Sequence, residues 1–413
     1  MILWKDGINA DRAACDYKKV QMQIQDRITV RMAPGGGFVI VIGDDLCHES
    51  IGALIDRVAD VSMGQCLQME SRLTEDTMPR SVKNGDFWAS GLEWWCSGFY
   101  PGTCWYTYLL SGDERVKDLA IRQTHKLSDL SKVYSNHDIG FQIMCSYGME
   151  YKITGNEKCL PVIKEAAGLL ASRFNEAAGV TSSWDNDSTC RTIIDNMMNL
   201  ELLTWAARQF NNPEWERMAI SHANTTMKNH FRDDYTSYHV LDYDPQTGRV
   251  LDKKTAQGYS DESEWSRGQS WGLYGYTMMY RETGREEYLQ QAVHIADYLL
   301  TRLADDPVPN WDFDAPAEMA QKDASAGAIM AAGYAELCSL VKDEKKASIY
   351  HEMAEDIVRA LASEQYLARK GENFNFLLMH STGSYLKGGE VDAPLTYADY
   401  YFLEAVFRLK NLK

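Results

Sequence analysis

The stretch MNLELLTWAA, residues 198–207, carries a single charge in ten positions and presents no polar face. A helix that is apolar all round is buried on every side. CSYGMEY (145–151) and WGLYGYTMMY (271–280) read the same way. Between these lie segments of helical period with charge confined to one face, the mark of helices half turned to water. Segments of helical period number about twelve. They fall near 50–67, 101–111, 113–133, 137–154, 157–175, 192–210, 213–231, 266–283, 285–304, 323–340, 343–368 and 396–410. Alternation of buried and amphipathic members predicts an all-α fold, six inner helices within six outer ones: an (α/α)6 barrel. The uneven spacing excludes a solenoid with a fixed repeat near 34 residues.

The connections agree. LLSGDERVKDLA (109–120), YKITGNEKCLPVI (151–163), RQFNNPEWERMAI (208–220), YRETGREEYLQQA (280–292) and SLVKDEKKASIY (339–350) close one helix and open the next with acidic residues. Gly, Asn or Lys-Asp ends the first helix, and the acids suit the positive end of the second. These are helical hairpins.

Two regions break the pattern. Residues 1–48 read as a β-rich appendage, possessing alternating strands within 18–42 interrupted at Pro34, Gly35, Gly36 and Gly37; residues 49–413 form the helical domain. The glycine run precedes a strand and lacks the spacing of a nucleotide loop, so it reads as a turn. Farther on, YHVLDYDPQTGRVLDKKT predicts a β-hairpin insertion near 237–255, laid over one rim.

The 413 residues are 45% hydrophobic and 24% charged, an ordinary globular balance. A net charge of −17 without any Lys/Arg run argues against nucleic acid as a partner. The nine cysteines are scattered and never form a Cys-x-x-Cys pair, so neither zinc nor a disulfide framework is indicated. No His-Glu-x-x-His, EF-hand or P-loop pattern occurs, so no metal or cofactor is expected. No apolar run is long enough for a membrane span, and MILWKDGINADRA lacks the apolar core of a signal peptide. As written, the chain is expected to be cytoplasmic, or periplasmic if the true start lies upstream.

Chemistry concentrates at helix starts. Asp195 follows Thr192, Ile193 and Ile194, which reads either as a capping box or as a carboxylate placed for function. Asp138 stands three after Ser135 at the start of another buried helix. Inner helices that all run the same way would open both N-termini on one rim, so the two carboxylates meet at one mouth. Like charges held close raise one proton affinity, whereas helix N-termini favour the ionised form. The same rim should receive the aromatics of SGLEWWCSGFYPGTCWYTY (90–108) and Trp184, read either as core or as faces that stack on sugar rings. Arg267 opens the helix of SEWSRGQSWGLYG (263–275), with Ser266 as its cap; it reads as a fork for a carboxylate ligand or as a surface arginine. His137 and His239 are each, taken alone, ordinary polar residues.

Taken together, NHDIGF (136–141), IIDNMMNL (193–200), SYHVLDYDPQTG (237–248), TAQGYSDESEWSRGQSWGLYG (255–275) and DAPLTYADYYFLEA (392–405) form a set. In these motifs and their order the chain resembles the unsaturated glucuronyl hydrolases of glycoside hydrolase family 88, from about residue 50 to the C-terminus. The resemblance implies an (α/α)6 barrel that works without metal. It implies removal of a 4,5-unsaturated uronic acid from the non-reducing end of oligosaccharides left by polysaccharide lyases, by hydration of the vinyl ether. It further implies Asp195 as general acid/base and Asp138 as partner carboxylate, with His239, Gln257, Arg267 and Trp271 touching substrate and His137, Trp184, Trp94 and Trp95 lining the pocket. HSTGSYLKGG (380–389) stands where relatives hold a sulfate, which implicates Ser381, Ser384 and Lys387, the last offset from the family pattern. Glu93, Cys96 and Tyr100 depart from the family's Asp, Thr and Trp. Family 105, acting on pectin fragments, and a non-catalytic sugar-binding scaffold are the competing readings. Either way the partner is an oligosaccharide, and the chain is expected to be a monomer or homodimer.

Overall fold

The computed structural model describes residues 2–6, 15–19, 38–41, 49–132, 137–185, 188–303 and 306–412. Contacts divide the chain into Met1–Leu54 and Ile55–Lys413. The first unit holds a three-stranded antiparallel sheet, β1 (Ile2–Asp6) between β2 (Cys15–Lys19) and β3 (Phe38–Val41). The glycine-rich turn at 34–37 and Ser135 lie outside the described residues.

Helices build the second unit. The buried set comprises α2 (Phe99–Ser111), α4 (Ile139–Ile143) running through a π-helical turn (Met144–Gly148) into α5 (Met149–Thr154), α7 (Asn196–Phe210), α9 (Ser266–Thr283), α11 (Ala324–Leu340) and α13 (Thr396–Asn411). Each packs on the next: α4 on α7, α7 on α9, α9 on α11, α11 on α13, α13 on α2, and α2 on the π turn that follows α4. The circle is thereby closed. Outside it lie α1 (Ile51–Met69), α3 (Glu114–His125), α6 (Cys159–Ser172), α8 (Pro213–Asn229), α10 (Glu286–Arg302) and α12 (Glu344–Leu361). The all-α (α/α)6 architecture is therefore as read from the alternation.

Burial follows the sequence pattern. Helix α12 buries one stripe, Tyr350, Ala354, Ile357, Val358 and Leu361, while α11 buries small residues on every side. Close inner packing needs glycine where two backbones meet. A Cβ on Gly140 would lie 2.4 Å from Asn199 Oδ1, so α4 can sit against α7 at that point only with glycine.

Several boundaries differ from the periodicity. The segment expected as one helix from 192 begins with β8 (Cys190–Ile193), and α7 starts only at Asn196. β8 pairs with β9 (Val240–Tyr243), which pairs with β10 (Val250–Lys254); the last two are the expected hairpin. Its turn is set by Asp244, whose Oδ1 accepts from the N–H groups of Gln246 and Thr247, both at 2.9 Å. Two shorter strands, β6 (Phe174–Asn175) and β7 (Val180–Thr181), follow α6. A further hairpin, β4 (Thr77–Lys83) and β5 (Asp86–Gly91), was not anticipated. Its signal is present: Asn84-Gly85, both at positive φ, is the dipeptide that primed hairpin turns demand.

Away from the N-terminal ends, a chain of alternating charges crosses the inner circle. Lys152 pairs with Glu201 (2.8 Å), Glu201 with Arg281 (3.0 Å), Arg281 with Glu336 (2.7 Å), and Glu336 with Arg408 (3.0 Å). Arg408 reaches Glu404 (3.1 Å), whose Oε1 accepts from the Tyr106 hydroxyl (2.8 Å). These residues come from α5, α7, α9, α11, α13 and α2, so every inner helix is tied in. A cavity of about 700 Å³ lies among them. The seven cysteines of this unit are buried and free. No helix is long and apolar enough to cross a membrane, and no cluster suited to a metal occurs among the described residues.

Candidate active site

At the opposite ends of the inner helices a second cavity, about 300 Å³, opens among Glu93, Trp94, Trp95, His137, Asp138, Trp184, Ile193, Asp195, His239, Ala256, Gln257, Arg267 and Lys387. Ten of the candidate site residues named from the sequence meet here. Glu93, Ile193 and Ala256 complete the wall.

Asp195 occupies the N-cap position of α7, yet its side chain makes no capping hydrogen bond. Thr192, expected to close a capping box, lies in β8, and its hydroxyl has no partner. The capping reading is therefore corrected: the strand takes up the residues that a capping box would need. Asp138 stands at the N-cap of α4 and likewise makes no cap bond. Neither carboxyl caps its helix. Burial raises Asp195 from its ordinary 3.8 to about 6, with the Arg267 charge and the Trp271 indole pulling the other way. Burial, then the charge of Asp195, push Asp138 well above the usual carboxylate range, against the Arg173 cation. Desolvation outweighs the helix ends at both.

Each acid has a histidine, and each histidine is held in one tautomer. The ladder places Ile193 opposite Val240, and Ile194 N–H donates to the His239 carbonyl (3.0 Å), which brings His239 beside Asp195. His239 Nδ1 accepts from the N–H groups of Ala256 and Gln257, both at 3.2 Å. Its proton therefore sits on Nε2, 3.8 Å from Asp195 Oδ2. Trp265 stacks on the ring at 4.2 Å. His137 repeats the arrangement: Asn199 Nδ2 lies 3.3 Å from Nδ1, and Asn199 Oδ1 accepts from Phe141 N–H, which fixes the amide's orientation. Nε2–H of His137 then faces Asp138 Oδ1 at 3.5 Å. Burial first, then the Arg173 cation and His222, keep His137 well below 6.5, and burial with Arg267, His230 and Lys387 does the same for His239. Both are neutral donors.

Arg267 is neither a surface residue nor an open fork. It is buried; Nη1 donates to Asp323 Oδ2 (2.6 Å) and the Thr382 carbonyl (2.7 Å), Nη2 to the Gly383 carbonyl (2.6 Å) and Gln257 Oε1 (3.3 Å). Gln257, which lines the cavity beside it, shares one of these donors. Ser266 does not cap α9; its hydroxyl donates to the Trp311 carbonyl. Trp271 lies beneath the cavity, fully buried against Phe141 and Tyr401, its indole N–H near Asp195 without a well-formed hydrogen bond. Ser381 and Ser384 stay outside the cavity lining, their hydroxyls buried and unpartnered. Trp94 (40% exposed) and Trp184 (38%) rim the opening, the former with Arg80 stacked 3.9 Å behind it. Cys96 and Tyr100 are core residues, Tyr100 donating to the Cys66 carbonyl.

Residues 55–336 match the family model described as Glycosyl Hydrolase Family 88. The chain belongs to glycoside hydrolase family 88. An unsaturated glucuronyl hydrolase of Formosa agariphila is 40% identical over 325 residues, 77% of this chain and 80% of that protein. Among solved structures, an unsaturated glucuronyl hydrolase specific for heparin superposes with a TM-score of 0.82 at 42% identity, covering 86% of this chain and 96% of the other. A second, from Bacillus sp. GL1 and responsible for the degradation of glycosaminoglycan, gives 0.83 at 28% identity, covering 86% and 97%. The family 88 assignment makes the chain a glycoside hydrolase, and the match excludes the scaffold reading on the same grounds.

Proposed function

We propose that the mouth cavity takes the 4,5-unsaturated uronic acid at the non-reducing end of lyase-generated glycosaminoglycan fragments and hydrates it. The observation that carries this reading is the pairing of two uncapped, buried carboxyls in one cavity, one raised to about 6. A group that must both give and take a proton works best with its pKa near the working pH. Asp195 meets that need. Asp138, whose proton affinity burial and the Asp195 charge raise, is placed to donate a hydrogen bond to substrate from its acid form.

In the reaction, the Asp195 carboxylic acid gives its proton to carbon 4, and positive charge develops at carbon 5. Water adds at carbon 5, losing a proton to the Asp195 carboxylate, which restores the acid. The hemiketal opens and the shortened sugar leaves. Because water attacks carbon 5 rather than the anomeric centre, the carboxylate spacing that sorts ordinary glycosidases into retaining and inverting does not apply. His239 and His137, neutral with Nε2–H toward the acids, orient them without competing as bases. Trp94 and Trp184 give the second sugar a face to stack on.

The test follows the ultraviolet absorbance of the conjugated uronate on lyase-generated heparin, chondroitin, hyaluronan and pectin disaccharides. Its loss with glycosaminoglycan fragments and wild-type protein supports the reading; loss with pectin fragments alone overturns it.

A further inference from the structure

The cavity at the far end of the inner helices, about 700 Å³, is more than twice the size of the mouth cavity, about 300 Å³, and shares no lining residue with it. Small-molecule sites are concave and mostly apolar, about 300–1,000 Å³ in volume, with a few polar groups that fix orientation. Seven of the 20 residues lining this cavity are aromatic, and three are methionines, Met144, Met149 and Met198, whose flexible side chains fit around a ligand. Met144 and Cys145 come from the π-helical turn (Met144–Gly148), where an extra residue is wound into the helix on the cavity side. Turns of that kind gather at functional sites.

The lining carries charge but none to spare. Lys152, Glu201, Arg281, Glu404 and Arg408 belong to the charge chain, and Glu282 pairs with Arg281 (3.0 Å) and with Arg208. An ion entering would leave water without gaining a free counter-charge, a penalty that an uncharged molecule avoids. The tyrosines are not all so committed. Tyr106 and Tyr274 give their hydroxyls to Glu404 Oε1, at 2.8 and 3.0 Å. Tyr401 lines the same wall at 2% exposure, and its hydroxyl has no hydrogen-bond partner among the described residues. A buried hydroxyl left unmatched is destabilising, and a polar atom on a ligand relieves it.

We propose that this cavity is a second ligand site, taking an uncharged, ring-bearing molecule with one hydroxyl group, its rings against the aromatic wall and its hydroxyl on Tyr401. Leu109, Ile153 and Phe407, half-buried near the C-terminal ends of their helices, mark the opening. The ligand therefore enters without passing the mouth.

The experiment measures equilibrium binding of two probes to the full chain by their fluorescence: 2-naphthol, and naphthalene as its counterpart without the hydroxyl. Wild type is expected to bind 2-naphthol saturably, one molecule per chain, and about fivefold more tightly than naphthalene, the worth of one hydrogen bond. Met149→Trp fills the cavity and should weaken both probes by about tenfold or more. Ile153→Trp blocks the half-buried opening and should do the same even where the overpacked Met149 variant fails to fold. Tyr401→Phe should cancel the advantage of 2-naphthol and leave naphthalene binding unchanged. Absence of saturable binding, binding indifferent to both tryptophans, or a Tyr401→Phe variant that weakens the two probes equally would overturn the inference. No turnover enters these measurements, so their result is independent of the function proposed for the mouth.

Discussion

Replacing Asp195 with asparagine should destroy activity and strengthen the fold at once. The side chain makes no cap bond and one carboxylate oxygen has no hydrogen-bond partner, so the amide forfeits little. A rise from 3.8 to about 6 is worth about 3 kcal/mol against the ionised form. The sign follows from proton binding: below about 3.8 both folded and unfolded chains hold the proton and nothing is lost. As pH climbs through about 6 the folded chain must ionise a buried acid, and stability falls by that amount. Asparagine removes the penalty. The variant should therefore melt several degrees above wild type at pH 8, and the gap should close toward pH 4. Over the same range kcat should drop by about 10³- to 10⁴-fold, since one group supplies both proton transfers. Thermal melts across pH, beside initial rates of absorbance loss, read both quantities. A variant that melts below wild type at pH 8, or keeps kcat within about tenfold, would refute the reasoning.

Three further outcomes are expected. The pH profile of kcat/KM should fall on its basic side near pH 6, where Asp195 gives up its proton, and Arg267→Gln should move that limb upward by removing the cation that favours the carboxylate. Trp94→Ala takes away an exposed stacking face and should raise KM by about three- to tenfold with kcat little changed, as steady-state kinetics will show. Glu336→Ala breaks the charge chain between Arg281 and Arg408 and should cost about 3 kcal/mol in urea denaturation while leaving kcat intact.

What the sequence disclosed divides along the range of the interactions. Helices such as α11 and α12 were legible because burial imposes a local period, and Asp138 and Asp195 were legible because a carboxylate in apolar surroundings is conspicuous. The capping box was misread because Thr192 has its partner in β9, brought back by a hairpin that local propensity does not register. Arg267 was legible as important but not in its duty, which depends on Asp323, Thr382 and Gly383, all far along the chain. Asn199, which fixes the His137 tautomer, went unremarked within MNLELLTWAA because its partner lies 62 residues away. Ser381 and Ser384 were placed by motif, and motif does not say which way a hydroxyl turns within a hairpin.

The charge chain from Lys152 to Tyr106 has a bearing on how such a barrel tolerates change. Helices lack the ladder that seals a β-barrel, so a toroid of helices must be fastened by side chains. Here the fastening lies away from the helix N-termini, while the substrate end is walled by loops and hairpins. Grafting a foreign loop at the mouth leaves the fastening whole, so new specificities can be tried without reopening the barrel.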